Sequence, residues 1–259
     1  MVTKNTILSK KDAELLEDVV VRYGRTVNID DLYKVFGKTY NVHETRKRVS
    51  FLSRTGWLQR IKKGLYTVVT DVGELNTFNL SLFSLARTLN KESYISFENA
   101  LQYHGMFDQM LASVAAVTYK RARKYRLQNT EAKFYHIKKE FYFGFTREKA
   151  DNAMVNIAKK EKALLDILYF SADTYHSGMV WEKLSEHRNM IDFSKLISYA
   201  LKFNLKVIRQ TGFFLDLLDV DTKKLHEKVK GKNSYSRMSS SASKFNAKWR
   251  LYFDSAVIK

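Results

Sequence analysis

The order of helix and strand patterns in the first 70 residues restricts the fold of this chain more than any other feature. Apolar residues recur at steps of three and four over residues 11–23, and a glycine follows, which predicts a helix and its end. A second, shorter helix is predicted over residues 29–36, with Asn28 as its N-terminal cap and Gly37 as a left-handed stop. The chain therefore begins with two short helices separated by a tight turn.

A third helix is predicted from Asn41 to Gly56. Asn41 is followed three places later by Glu44, the spacing of a capping box, and Gly56 is typical of a helix end. At 100° per residue, apolar and polar residues fall on opposite sides of this helix. The apolar side consists of Val42, Thr45, Val49 and Leu52, and the polar side of His43, Lys47, Ser50 and Arg54, with Arg46 at its margin.

Two short strands are predicted next, over residues 57–61 and 65–69, joined by the basic turn Lys62-Lys63-Gly64. Three helices followed by a hairpin are typical of a winged helix-turn-helix, in which the third helix enters the major groove of DNA and the hairpin contacts phosphates or the minor groove. The predicted DNA-binding residues are His43, Arg46, Lys47, Ser50, Arg54, Arg60, Lys62 and Lys63. The same pattern is compatible with a merely solvated helix face or with a protein-docking module.

Charge favours a nucleic-acid partner. The 259 residues include 45 Lys and Arg against 27 Asp and Glu, a formal charge of +18, and such an excess causes self-repulsion that a polyanion relieves. The chain contains no Cys, which excludes disulfides, thiolate metal sites and zinc fingers. No apolar run approaches the ~18 residues that a membrane span needs, and no signal peptide is recognisable, so we expect a cytoplasmic protein without a membrane partner.

The rest of the chain mixes both periodicities, which predicts an α+β fold. Helices are predicted over residues 78–89, 96–105, 163–170, 179–187, 193–203 and 208–230, and strands over residues 113–119, 132–137, 141–145 and 155–157. We expect a winged helix-turn-helix domain (1–70), a connecting helix (71–90), a mixed α/β domain with C-terminal helices (91–230) and a basic Ser-rich tail (231–259). The Ser-rich stretch 234–243 is interpreted as a flexible link, followed by an apolar patch around Trp249 that docks on the protein or on a partner.

A second basic segment lies between two strands. It consists of Lys120, Arg121, Arg123, Lys124 and Arg126, interleaved with tyrosines. A second nucleic-acid contact and a solvated loop explain this segment equally well.

An enzymatic alternative is a metal-dependent nuclease with a winged-helix targeting domain. Asp108 and the later Glu131-Ala132-Lys133 loosely match the Asp…Glu-x-Lys arrangement that holds a divalent metal in some nucleases. The match is weak in a Lys-rich chain, and no phosphate loop or nucleophile elbow is found. We therefore expect no enzyme activity, no catalytic residue, no metal and no cofactor, and interpret His104, His136 and Asp166 as structural.

Three blocks in the middle of the chain, taken together, resemble a known family. The blocks are Tyr94-Ile95-Ser96-Phe97-Glu98-Asn99-Ala100-Leu101-Gln102-Tyr103-His104-Gly105-Met106, Phe134 to Phe145, and Ala158 to Tyr169. In this order they resemble the AbiEi-type antitoxins, and the segment Arg60 to Tyr66 resembles the end of that family's winged helix. The resemblance spans about residues 46–170; the absence of Pro and the long C-terminal extension depart from the family pattern.

The resemblance implies a transcriptional repressor and antitoxin of a type IV toxin–antitoxin, or abortive-infection, operon that serves in antiviral defence. Such a protein binds inverted repeats in its own promoter. Its functional partner is a nucleotidyltransferase-like toxin, which it opposes without forming a tight complex. The expected state is a monomer or weak dimer that can bind DNA cooperatively.

Overall fold

The structure is a computed structural model that describes residues 8–75, 81–127, 130–150 and 153–258. It contains both helices and several sheets, as the α+β prediction requires. The chain divides into two compact units, residues 1–91 with 124–132, and residues 92–123 with 133–259. No helix among the described residues is long and apolar enough to cross a membrane.

The first unit has three helices before a hairpin. Its elements are α1 (Lys10–Tyr23), β1 (Thr26–Asn28), α2 (Ile29–Phe36), α3 (Val42–Arg54), β2 (Leu58–Lys62), β3 (Leu65–Val68) and α4 (Leu82–Leu89). The three strands form an antiparallel sheet in the order β1-β3-β2. The apolar faces of α1, α2 and α3 pack with this sheet around fully buried residues such as Leu32, Phe36 and Leu52. Burying these side chains drives the folding of the unit.

Several sequence expectations for this unit need correction. Strand β1 is too short for a periodicity signal and was not expected. Gly37 has a right-handed conformation with φ −64°, so it is not a left-handed stop. Val42 is 65% exposed, because it is the first helical residue and lies beyond the apolar side that α3 buries. Helix α4 begins at Leu82, and residues 76–80 of the predicted helix lie outside the described residues.

From residue 92 onward a mixed sheet precedes a run of helices. The sheet contains β4 (Ser93–Ile95), β5 (Ser113–Thr118), β6 (Arg123–Leu127), β7 (Thr130–His136), β8 (Phe145–Ala150) and β9 (Ala153–Ala158), in the order β6-β7-β5-β4-β9-β8, and α5 (Phe97–Tyr103) follows β4. Strand β4 is antiparallel to β5 and parallel to β9. The helices are α6 (Lys160–Phe170), α7 (Thr174–Glu186), α8 (Phe193–Ala200), α9 (Leu205–Leu217) and α10 (Lys223–Val229).

Two predicted elements of this region are wrong. The strand predicted over residues 141–145 begins only at Phe145, as β8, because Phe141 ends a short 3₁₀ turn and packs its ring on Phe203, at 5.1 Å between ring centroids. The single helix predicted over residues 208–230 is divided into α9 and α10. The break contains Asp219, whose φ of +56° is incompatible with a continuing helix.

The C-terminal segment is folded, so the interpretation of residues 234–243 as a flexible link within a tail is wrong. It forms β10 (Ser236–Arg237), β11 (Lys244–Asn246) and β12 (Leu251–Phe253), with β12 in the centre of the sheet. Trp249 is fully buried, and its Nε1 donates to Asp216 Oδ2 at 2.7 Å. Its ring lies so close to Gly212 that a Cβ there would be 2.1 Å from it. The patch around Trp249 therefore docks on the chain itself.

Candidate nucleic-acid interface

Helix α3 begins with the predicted capping box. Asn41 Oδ1 accepts from the backbone N–H of Glu44 at 3.0 Å, and Glu44 Oε2 accepts from the Asn41 N–H at 3.1 Å. These two bonds satisfy amide groups that have no partner within the helix. The carboxylate of Glu44, the acidic residue of this helix, is thereby used at its N-terminus.

An ion pair that the sequence patterns did not reveal anchors α3 to α1. Asp12 is 1% exposed and accepts from Arg48 Nη2 at 2.5 Å as well as from Arg48 Nε. Ser9 Oγ also donates to Asp12, at 2.6 Å, and the Arg48 guanidinium lies 5.3 Å from the centre of the Phe51 ring. Together with buried Thr45, Val49 and Leu52, this pair fixes which side of α3 faces the core. The sequence gives one indication of this pair, because Asp12 is an acidic residue in the first turn of α1 on the side that the helix buries.

The opposite side of α3 is exposed and basic. His43, Arg46, Lys47, Ser50 and Arg54 are all exposed, and all five line one shallow surface groove of ≈ 790 Å³. Tyr40, Glu44, Arg48 and Phe51 complete its lining. Within the described residues, Arg46, Lys47 and Arg54 form no ion pair with a carboxylate. The structure thus brings together the five helix residues predicted to bind DNA and leaves the charges of Arg46, Lys47 and Arg54 available to an external anion.

The three hairpin residues differ from one another. Arg60 and Lys63 are exposed, whereas Lys62 is half-buried and its Nζ donates to the Leu89 carbonyl at 3.1 Å. Arg60 lines a separate cavity of ≈ 260 Å³ that also includes Arg126. Lys62 belongs to β2, so the turn itself consists of Lys63 and Gly64, and Gly64 adopts φ +75°. The structure therefore points to Arg60 and Lys63 as the cations that this hairpin offers.

Carboxylates partly neutralise the second basic segment. Lys124 and Arg126 contact Glu131 at 2.8 and 3.5 Å, and Lys120 contacts Glu92 at 3.5 Å. The hydrogen bond from Lys124 holds the pKa of Glu131 below its ordinary value. Arg121 and Arg123 are exposed and form no ion pair with a described carboxylate. This segment offers fewer unpaired cations than the sequence indicates.

The nuclease alternative gains no support from these contacts. The Glu131 carboxylate is bound by two cations, and the described residues contain no group of three or more His, Asp or Glu side chains that could hold a metal. His104 Nε2 donates to the Ala158 carbonyl at 2.8 Å, and His136 Nδ1 donates to the Lys120 carbonyl at 2.9 Å. Both histidines tie chain segments together.

Residues 94–106, 134–145 and 158–169 each contribute to one largely buried cluster. Asp166 accepts from Ser96 Oγ at 2.7 Å and from the Tyr94 hydroxyl at 3.0 Å, and it pairs with Lys162. Lys162 Nζ also donates to the Tyr94 hydroxyl at 2.7 Å and lies 5.3 Å from the centre of the Phe143 ring. Each block thus contributes a side chain to the same cluster.

Burial dominates the electrostatics of this cluster. Lys162 and Asp166 have fully buried side chains, and burial lowers the pKa of Lys162 and raises the pKa of Asp166, while their mutual attraction opposes both changes. Burial and the neighbouring Asp166 together raise the pKa of Tyr94 well above its ordinary value. Because Tyr94, Ser96, Lys162 and Asp166 are all buried and bond to one another, we interpret the cluster as structural.

Comparison with known proteins supports the fold alone. No protein-family model and no curated protein matches the chain. The crystal structure of the RV2827C protein from Mycobacterium tuberculosis is similar in fold, with a TM-score of 0.62 at 12% sequence identity, over 97% of this chain and 94% of that one. The similarity covers almost the whole of both chains.

Proposed function

We propose that this protein is a DNA-binding transcriptional repressor, and that the outer side of α3 reads its operator. The observation that carries the proposal is the groove on α3, where exposed Arg46, Lys47 and Arg54 lack carboxylate partners within the described residues. Unpaired cations on a rigid helix gain more from phosphates or guanine edges than cations already bound to carboxylates, because binding breaks no internal ion pair.

The architecture of the first unit supports a winged helix-turn-helix. Its element order is α1-β1-α2-α3-β2-β3, with the three strands in one antiparallel sheet. In that architecture α3 is the helix that enters the major groove, and the β2–β3 hairpin is the wing. Arg60 and Lys63 are then the wing contacts, and Lys62 holds the base of the wing through the Leu89 carbonyl.

The anchoring of α3 supports a role in sequence reading. A recognition helix has to present its side chains at fixed angles to base edges. The buried Asp12–Arg48 pair and the capping box fix both the rotation and the start of α3. We further propose that Arg46, Lys47, Ser50 and Arg54 contact base edges and that His43, Arg60 and Lys63 contact phosphates.

We further propose that the repressor is the antitoxin of a type IV toxin–antitoxin operon with a role in antiviral defence. The support is the resemblance of the three sequence blocks to AbiEi-type antitoxins, together with their contributions to one buried cluster. In this proposal the protein represses its own operon at inverted repeats, as a monomer or weak dimer. It opposes a nucleotidyltransferase-like toxin without a tight complex.

The test is a fluorescence-anisotropy titration with duplex DNA from immediately upstream of the protein's own gene. The wild-type chain is compared with Lys47→Ala/Arg54→Ala, which removes two cations from the outer side of α3. The matched control is Arg22→Ala/Lys34→Ala, because these exposed cations pair with Asp18 and Asp31 and their loss changes the net charge equally.

We expect tight binding by the wild type and by the control, and a loss of about 100-fold or more for the α3 variant, since each well-placed base contact contributes about 1–3 kcal/mol. All three proteins should unfold at similar temperatures, because exposed substitutions change stability little. Equal losses in the control and in the α3 variant would indicate only a non-specific response to net charge.

A further inference from the structure

The C-terminal sheet carries a row of exposed and half-buried side chains that the proposed repressor function does not use. Strand β12 lies between β10 and β11, and its Tyr252 is in register with Arg237 on one side and with Phe245 on the other. The three side chains therefore lie side by side on one face of the sheet. Tyr235, directly before β10, extends the row, and we call these four residues the aromatic platform.

Contacts within the platform hold its rings in place. Tyr252 contacts Phe245 at 4.8 Å and Tyr235 at 5.3 Å between ring centroids. The Arg237 guanidinium lies 4.1 Å from the centre of the Tyr252 ring, and its Nη1 donates to the Ala242 carbonyl at 2.7 Å. Such contacts preorganise an aromatic surface before any ligand binds.

One face of this sheet is covered, and the platform face is open. Leu251 is fully buried, and the ring of Phe253 packs on Phe213 at 4.7 Å. On the platform face, Tyr235 is 58% exposed and Phe245 is 47% exposed. Large aromatic side chains are rarely left this accessible together unless the surface serves in recognition.

The charge around the platform is positive. Between Lys228 and Phe253 the chain has seven basic residues and no acidic one, and Asp254 follows directly. Arg237, within the platform, is exposed and forms no ion pair with a described carboxylate. Lys248 differs, since Asp216 binds it at 2.7 Å. Like charges disfavour the packing of a second copy on this face.

We propose that the aromatic platform binds single-stranded nucleic acid. Unpaired bases offer free faces that stack on the exposed rings of Tyr235 and Phe245, beside Tyr252, while Arg237 neutralises the phosphates that connect them. Duplex DNA has its base faces covered by neighbouring base pairs, so the rings favour single strands over the duplex that α3 is proposed to read. The inference rests on the C-terminal sheet and not on α3.

The experiment measures binding of fluorescein-labelled oligo(dT) and oligo(rU) of about 15 nucleotides, close to the upper range of site sizes for such surfaces. Every protein carries Lys47→Ala/Arg54→Ala, so that α3 contributes little. In this background, Tyr235→Ala/Phe245→Ala is compared with Tyr175→Ala, which removes an exposed aromatic ring from α7. Thermal unfolding checks that each variant is folded.

We expect Tyr235→Ala/Phe245→Ala to weaken binding of both oligonucleotides by about tenfold or more, and Tyr175→Ala to leave it unchanged. Preference for oligo(dT) or oligo(rU) identifies which single strand the platform takes. With α3 intact, the same platform variant should bind the upstream duplex as the wild type does. Unchanged single-strand binding in a folded platform variant, or an equal loss with Tyr175→Ala, would overturn the proposal. A platform variant that loses only duplex binding would also overturn it.

Discussion

Lys162 and Lys47 carry the same charge in opposite surroundings. Lys162 is fully buried and bonds to Asp166 and Tyr94, whereas Lys47 is exposed on α3 and forms no ion pair within the described residues. A cation with internal partners contributes to the fold, and a cation without them is available to an external anion. Net charge alone does not separate the two kinds of cation. Each basic residue behind the charge of +18 has to be classified by whether it contacts a carboxylate or another internal partner.

Two further pairs lie between these extremes. Arg48 is partly exposed but bonds to buried Asp12, and Lys248 is 48% exposed beside a more protected Asp216. The four cations form a series from fully internal to free. Breaking the ion pair should lower stability most at Lys162, less at Arg48 and least at Lys248. Removing the cation should weaken DNA binding most at Lys47.

The largest effect on stability is expected at the buried end of the series. Lys162→Met leaves Asp166 without its cation in a fully buried site, which should lower the free energy of unfolding by about 3–5 kcal/mol. Urea denaturation measures this change. The double variant Lys162→Met/Asp166→Asn should recover much of the loss, because Asn still accepts from Ser96 and Tyr94. A loss below about 1 kcal/mol in the single variant would contradict the structural role of the pair.

A smaller effect is expected where α3 is anchored to α1. Asp12→Ala leaves the partly exposed Arg48 without its carboxylate, and the free energy of unfolding should fall by about 1–3 kcal/mol. Because the pair also fixes the rotation of α3, affinity for the upstream duplex should fall as well, though less than in Lys47→Ala/Arg54→Ala. Denaturation and anisotropy on the same protein test both expectations. Full affinity in a destabilised Asp12→Ala would show that the anchor serves only the fold.

The capping box of α3 and its ion pair with α1 differ in how far sequence patterns can predict them. The periodicity of α1 and α3 and the Asn41–Glu44 spacing are local signals, and the structure confirms those helices and the cap. The outward direction of Arg46, Lys47 and Arg54 follows from the same periodicity. The Asp12–Arg48 pair joins residues 36 positions apart, and no local pattern specifies such a pairing.

The incorrect predictions also arise from contacts between residues that are distant in sequence. The Ser-rich stretch before Trp249 has a loop-like composition, but that tryptophan packs on Gly212 and bonds to Asp216 through tertiary contacts. Lys62 looks like its neighbour Lys63 in sequence, yet the Leu89 carbonyl bonds only the former. Which lysines stay free depends on the distant residues that fold against them.

The smallest stability effect is expected at the Asp216–Lys248 pair. Burial raises the pKa of Asp216, but hydrogen bonds from Lys248, Thr222 and Trp249 outweigh it and leave the pKa below its ordinary value. The carboxylate therefore stabilises the folded state above a pH of about 4, and this contribution is lost as the pH falls through the lowered pKa. Melting temperatures from neutral to acidic pH should fall less steeply in Asp216→Asn than in the wild type. Parallel curves for the two proteins would show that this pair does not contribute to the acid sensitivity.

The claim that α3 provides the unpaired cations for duplex DNA is tested most directly by the salt dependence of binding. Each phosphate contact adds about 0.9 to the slope of log affinity against log salt, and contacts to base edges do not. The measurement compares the slopes of the wild type, Arg60→Ala/Lys63→Ala and Lys47→Ala/Arg54→Ala on the upstream duplex. We predict a slope lower by about 2 for the hairpin variant, and for the α3 variant a large loss of affinity with a much smaller change in slope. Wild-type affinity in the α3 variant at every salt concentration would contradict the account.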